Sequence, residues 1–174
     1  MGQRGPRSDR DRRERLVTVP PSERPSDLIR ATWMGDHRFD TGRAAGMQMR
    51  LDGSGETGQT PPDALLSALA SCSGVDVVDI LAKRRTPVMR LSIEVVGERR
   101  TAAPRRFQRL LLTFHIEGDG IERVHAERAV RLAFEKYCSV AASLAPDMVT
   151  DTIVVLNGSP GEPARQKTYV TDGA

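Results

Sequence analysis

"PPDALLSALASCSGVDVVDILAKRR", residues 61–85, is the stretch on which the fold turns. Thr60 before it reads as a helix N-cap, Pro61 suits the first helical position, and Asp63 stands three residues after the cap. The spacing predicts one helix from Pro61 to about Arg85, ending before Pro87. From Ala64 to Val75 it is apolar nearly all round, and Val77, Val78, Ile80 and Leu81 continue the pattern. A helix of that kind is covered on most sides. In a chain of 174 residues the cover must come from a sheet, a second helix and a second subunit.

Outward from this helix, the elements alternate in type. "DLIRATWM" (27–34) and "HRFDTGRAAGMQMRLDG" (37–53) read as strands around a tight turn at "GDH", and "GSGETGQTPP" (53–62) as a loop. "VMRLSIEVVGERR" (88–100) and "RFQRLLLTFHIEG" (106–118) read as strands joined by "TAAP". "GIERVHAERAVRLAFEKYCSVAASL" (120–144) reads as one helix with an apolar stripe through Ala126, Ala129, Val130, Ala133, Phe134, Tyr137 and Cys138. "TDTIVVLNG" (150–158) is a last strand. The order implies an α+β fold with mostly antiparallel strands, over a domain of residues 26–157. Residues 1–25 hold seven arginines, four acids and four prolines, and read as a disordered basic tail. Residues 158–174 are rich in Gly and Pro and read as a flexible C-terminal tail.

Composition narrows the function classes. Net charge is +3 and lysine occurs only at Lys83, Lys136 and Lys167, so arginine carries the basicity. Aromatics are 4% and acids interleave with the arginines, which argues against a nucleic-acid surface. An arginine-rich N-terminus engaging nucleic acid is retained only as a third reading. No uncharged apolar run reaches 18 residues and no signal-peptide pattern opens the chain, so the expectation is no membrane span and a cytoplasmic location. There thiols are kept reduced, and a transient catalytic disulfide is more in keeping than a static one.

The two cysteines, Cys72 and Cys138, lie on the two helices 66 residues apart. Free cysteine is often a small buried hydrophobe, and that reading stands beside the reactive one. Reactivity needs the thiolate, which burial and the nearby Asp76 both disfavour. A positive charge from another element, most naturally an arginine, has to reach Cys72. His37, His115 and His125 are widely spaced and show no metal-ligand pattern with the cysteines, so no metal is expected. "GSGETG" lacks the G-K-[ST] ending of a phosphate loop, and no cofactor is expected.

Residues 61–85, followed by "VVGERR", "APRRFQRLLLTFHIEG" and "ERAVRLAFEKYCSVAASL", resemble the OsmC/Ohr family of hydroperoxide-reducing proteins. The likeness covers about residues 28–156 and is greatest to an OsmC-like subgroup with "C-x-x-x-D-V-V-x-I-L" and "E-K-Y-C-S-V". It implies an OsmC-like fold in which sheets wrap two central helices in an intertwined homodimer. It implies that Cys72 attacks an organic hydroperoxide, that Cys138 resolves the sulfenic acid, and that a dithiol reductant restores the pair. The family's activating arginine falls ambiguously: Arg50 is the first choice, Arg38 and Arg43 the others. Its glutamate partner falls at Pro62 or Asp63, so Asp63 is the possible arginine anchor, with helix capping as its alternative role. Glu135 lies within the second motif, and a solvated helix face is its alternative role. The other functional reading is a non-catalytic dimer holding a small apolar or acyl ligand in the interface cleft.

Overall fold

A computed structural model describes residues 28–167. The tail expected over residues 1–25 and the last residues from 168 lie outside them. The chain divides after Gly58 into two compact units.

The first unit is an antiparallel meander of β1 (Arg30–Trp33), β2 (Arg38–Gly42) and β3 (Met49–Asp52). The turn at "GDH" forms as expected, with Gly35 at φ +95° and Asp36 at φ +48°. The stretch 37–53, read as strand throughout, is two strands joined over residues 43–48, because "RAAGMQ" has little to anchor a ladder. The loop after β3 is built on Asp52, which is buried. Its carboxylate accepts from the N–H and hydroxyl of both Ser54 and Thr57, at 2.6–2.9 Å. Those four bonds hold its pKa far below the usual carboxylate range.

The second unit starts with α1 (Pro61–Lys83), capped by Thr60, whose Oγ1 accepts from the Asp63 N–H at 3.3 Å. β4 (Arg90–Arg99) pairs antiparallel with β5 (Phe107–Glu117). α2 (Arg123–Leu132) follows, then a wide π-type turn over Ala133–Tyr137, then the single-turn α3 (Ser139–Ala142). β6 (Val149–Leu156) returns parallel to β5, so α2 is a crossover in a sheet that is otherwise antiparallel. The buried alternation Leu110, Leu112, Phe114, Ile116 of β5 meets Ala126, Ala129, Val130 and Phe134 from the α2 region and Leu69, Val77 and Leu81 of α1. Gly74 lets α1 approach β4: a Cβ there would lie 2.9 Å from Ile93 Cδ1.

Two expectations change here. The helix read as continuous over 120–144 breaks at Cys138, whose ψ of 99° is extended. The Cys138 N–H donates to Ala133 O at 2.8 Å, five residues back, so the widened turn absorbs an extra residue before the chain leaves the helix. Periodicity could not show this, because Phe134, Cys138 and Ala141 are all buried on either reading. The tail read from residue 158 instead supplies β7 (Ser159–Pro160) and β8 (Ala164–Gln166), both paired with β6. β6 has β5 on one edge only, and these short strands cover part of the other.

Sequence reading expects no membrane span, yet α1 is long and apolar enough to cross a bilayer by length and composition alone. It carries Asp76 and Asp79 and packs on β4, α2 and α3.

Candidate thiol site

Cys72 sits mid-way along α1, half-buried, and Asp76 follows four residues later on the same helical face. Cys138 is 1% exposed at the break between the π-type turn and α3. The fold brings the three together: both sulfurs and an Asp76 carboxylate oxygen lie within 4.8 Å of one another. Ser139 Oγ is 4.0 Å from the Cys72 sulfur. Among the described residues this is the one such cluster of three His, Cys, Asp or Glu side chains.

The electrostatics of the cluster are unfavourable to negative charge. Burial pushes the Cys138 thiol up to about 12, and Cys72 and Asp76 beside it add to the rise. The Ala141 N–H donates to the Cys138 sulfur at 3.4 Å and opposes this without cancelling it. Burial also raises the Asp76 carboxyl, and Asp79 adds to the effect. Asp76 Oδ2 is buried with no hydrogen-bond partner. Both sulfurs are free thiols, and closing a disulfide asks them to approach to ~2 Å.

The other expected residues have local partners. Asp63 is tied to the start of α1, where Thr60 Oγ1 donates to its Oδ2 at 2.6 Å. Arg50 on β3 grips Asp40 with two bonds, Nε to Oδ1 at 2.6 Å and Nη2 to Oδ2 at 2.9 Å, which holds the Asp40 carboxyl below its ordinary value. Arg38 pairs with Asp36, and Arg43 is exposed in the connection after β2. Glu135 is exposed, 3.9 Å from Arg131. His37, His115 and His125 take no part in the cluster; His125 Nε2 lies 2.7 Å from Arg84 Nη2.

Sequence reasoning found the two thiols and placed Asp76 one turn from Cys72. It missed that Asp76 meets both sulfurs, and it missed Ser139. The C-x-x-x-D spacing was the available signal, since residues four apart on a helix share a face. Ser139 carried none, because its position depends on the helix break. A separate groove of about 530 Å³ runs between α1 and β4, lined by Ala70, Gly74, Val75, Val78, Leu91 and Ile93 among others, and includes neither cysteine.

The OsmC-like protein family model matches residues 53–152. Protein YhfA of Escherichia coli K12 is 39% identical over 116 residues, spanning 66% of this chain and 87% of YhfA. The crystal structure of a hypothetical protein from Aquifex aeolicus VF5 superposes with a TM-score of 0.68 at 29% identity, covering 75% of this chain and 95% of that one. An organic hydroperoxide resistance protein OsmC from Legionella pneumophila shares the fold, with a TM-score of 0.51 at 15% identity over 74% of this chain and 94% of that one.

Proposed function

Because this chain belongs to the OsmC-like protein family, we propose that it is a thiol-dependent peroxidase of organic hydroperoxides. One observation carries the reading: two thiols 66 residues apart in sequence lie within 4.8 Å of each other, one half-buried and one fully buried. The half-buried Cys72 is the thiol a peroxide can meet. Its thiolate attacks the peroxide oxygen, the O–O bond breaks, and sulfur gains the hydroxyl as a sulfenic acid. The departing alkoxide takes a proton and leaves as the alcohol. The Cys138 sulfur then attacks the Cys72 sulfur, and the thiol proton leaves with the hydroxyl as water. Two thiols and one hydroperoxide thus become a disulfide, an alcohol and water, and an external dithiol returns the pair to the reduced state. We place this cycle in the cytoplasm, where such reductants are maintained.

Asp76 is suited to carry the protons. Its raised proton affinity and its place beside both sulfurs let one carboxyl protonate the alkoxide and then accept the Cys138 proton. Two copies are proposed to associate through α1, because Leu65, Val75 and Val78 remain 41%, 61% and 38% exposed.

The test is consumption of cumene hydroperoxide by the reduced chain with a dithiol donor. Cys72→Ser is expected to abolish it. Cys138→Ser is expected to accumulate a Cys72 sulfenate that a cyclic diketone traps. Absence of consumption by the wild-type chain, with no trapped sulfenate in either protein, overturns the proposal. The apolar groove favours a second reading, a non-catalytic dimer that binds a small apolar or acyl ligand. A ligand retained in native mass spectrometry, without sulfenate formation, would select it.

A further inference from the structure

We propose that Cys72, Asp76 and Cys138 form a binding site for a thiophilic divalent cation, with zinc(II) the ion that their donors match best. The site is independent of the peroxidase reading, since it rests on donor type and spacing. Two sulfurs and one carboxylate oxygen within 4.8 Å of one another are three donors of the kinds zinc accepts. Bonds of ~2.3 Å to sulfur and ~2.0–2.2 Å to oxygen in a tetrahedron hold such donors roughly 3.5–3.8 Å apart. The cluster therefore needs a contraction of at most about 1.0–1.3 Å at its widest pair, within the reach of small side-chain rotations.

The support is partly built in advance. Cys72 and Asp76 are four residues apart on one well-packed helix, so their relative position is set by α1 itself. Cys138 comes from a different element, at the break that leads into α3. Asp76 Oδ2 is buried with no hydrogen-bond partner, an acceptor that a cation would satisfy. Ser139 Oγ lies 4.0 Å from the Cys72 sulfur, and it or a water would supply the fourth donor. Two thiolates make the site soft, which selects zinc over magnesium or calcium. The sequence expectation of no metal rested on the histidines, and none of the three belongs to this cluster.

A cation and a disulfide exclude each other here, because both use the same two sulfurs. The loaded form would therefore shield both thiols from peroxide, and oxidation would release the ion. The experiment titrates zinc against a chromophoric zinc indicator, using the reduced, metal-stripped full chain without peroxide. One zinc per chain is expected. Cobalt(II) should give tetrahedral visible bands with thiolate charge transfer. Affinity should fall roughly tenfold or more in Asp76→Asn and in Cys138→Ser, each checked for folding by circular dichroism. The disulfide form should take up none. Zinc bound equally by the Cys72→Ser/Cys138→Ser double variant, or no uptake by the wild-type chain, overturns the site. Hydroperoxide consumption measured in metal-free buffer is scored separately, so that a failed metal site and a failed peroxidase reading give different results.

Discussion

Burial perturbs the Cys138 thiol strongly, and the perturbation has a sign that can be followed. Its proton is held in the folded chain up to about pH 12, whereas an unfolded cysteine releases its proton near 8.5. A group raised on folding stabilises fully below its unfolded pKa and loses that contribution as pH rises through its folded one. Thermal stability is therefore expected to decline from about pH 9 towards 12, and Cys138→Ala should flatten that decline; melting curves across this range check it. In the proposed cycle the same proton must leave during resolution. Conversion of the Cys72 sulfenate to disulfide should accelerate with pH up to the folded value, as stopped-flow measurement would show. The thiols and the nearness of Asp76 to Cys72 were legible in the sequence, since residue type and helical spacing report them. The orphaned Asp76 oxygen and the contact of Ser139 were not, because both depend on how α3 is seated against α1.

At the scale of elements, α1 was the most legible part of the chain. Thr60, Pro61 and Asp63 announce its start, and the start falls where they put it. Its close approach to β4 is testable at Gly74. Gly74→Ala gains helix propensity, about 1 kcal/mol, against displacement of the mobile tip of Ile93, so a net change within about 1 kcal/mol is expected. Gly74→Leu must push α1 and β4 apart, and a loss of about 1–3 kcal/mol is expected in urea denaturation. The second helix was legible as far as Leu132. Beyond it, the apolar residues keep a helical order through a segment that is not regular helix, because a π-type turn preserves burial while changing the hydrogen-bond partner. That break leaves Cys138 as the cap of α3. A sequence signal for it would have to come from the backbone, and no Gly or Pro marks the position.

For the whole molecule, the α+β class and the largely antiparallel pairing were readable from the alternation of elements. The ordered part beyond residue 157 was not, since Gly and Pro there mimic a tail while the backbone still pairs. Truncation after Asn157 removes the strands that cover β6, along with the Gln166 Nε2 bond to Thr152 Oγ1 at 2.8 Å. A lower melting temperature and a greater tendency to aggregate are expected, checked by calorimetry and light scattering. The proposed association through α1 predicts a dimer by light scattering, and Val75→Asp should shift it towards monomer. The interval between the cysteines also has a meaning in time. A ribosome adding about 5–20 residues each second makes Cys72 several seconds before Cys138. Through that interval every newborn chain carries a single thiol with no neighbour to rescue it, so an oxidant arriving then finds a casualty where the finished protein offers a cycle.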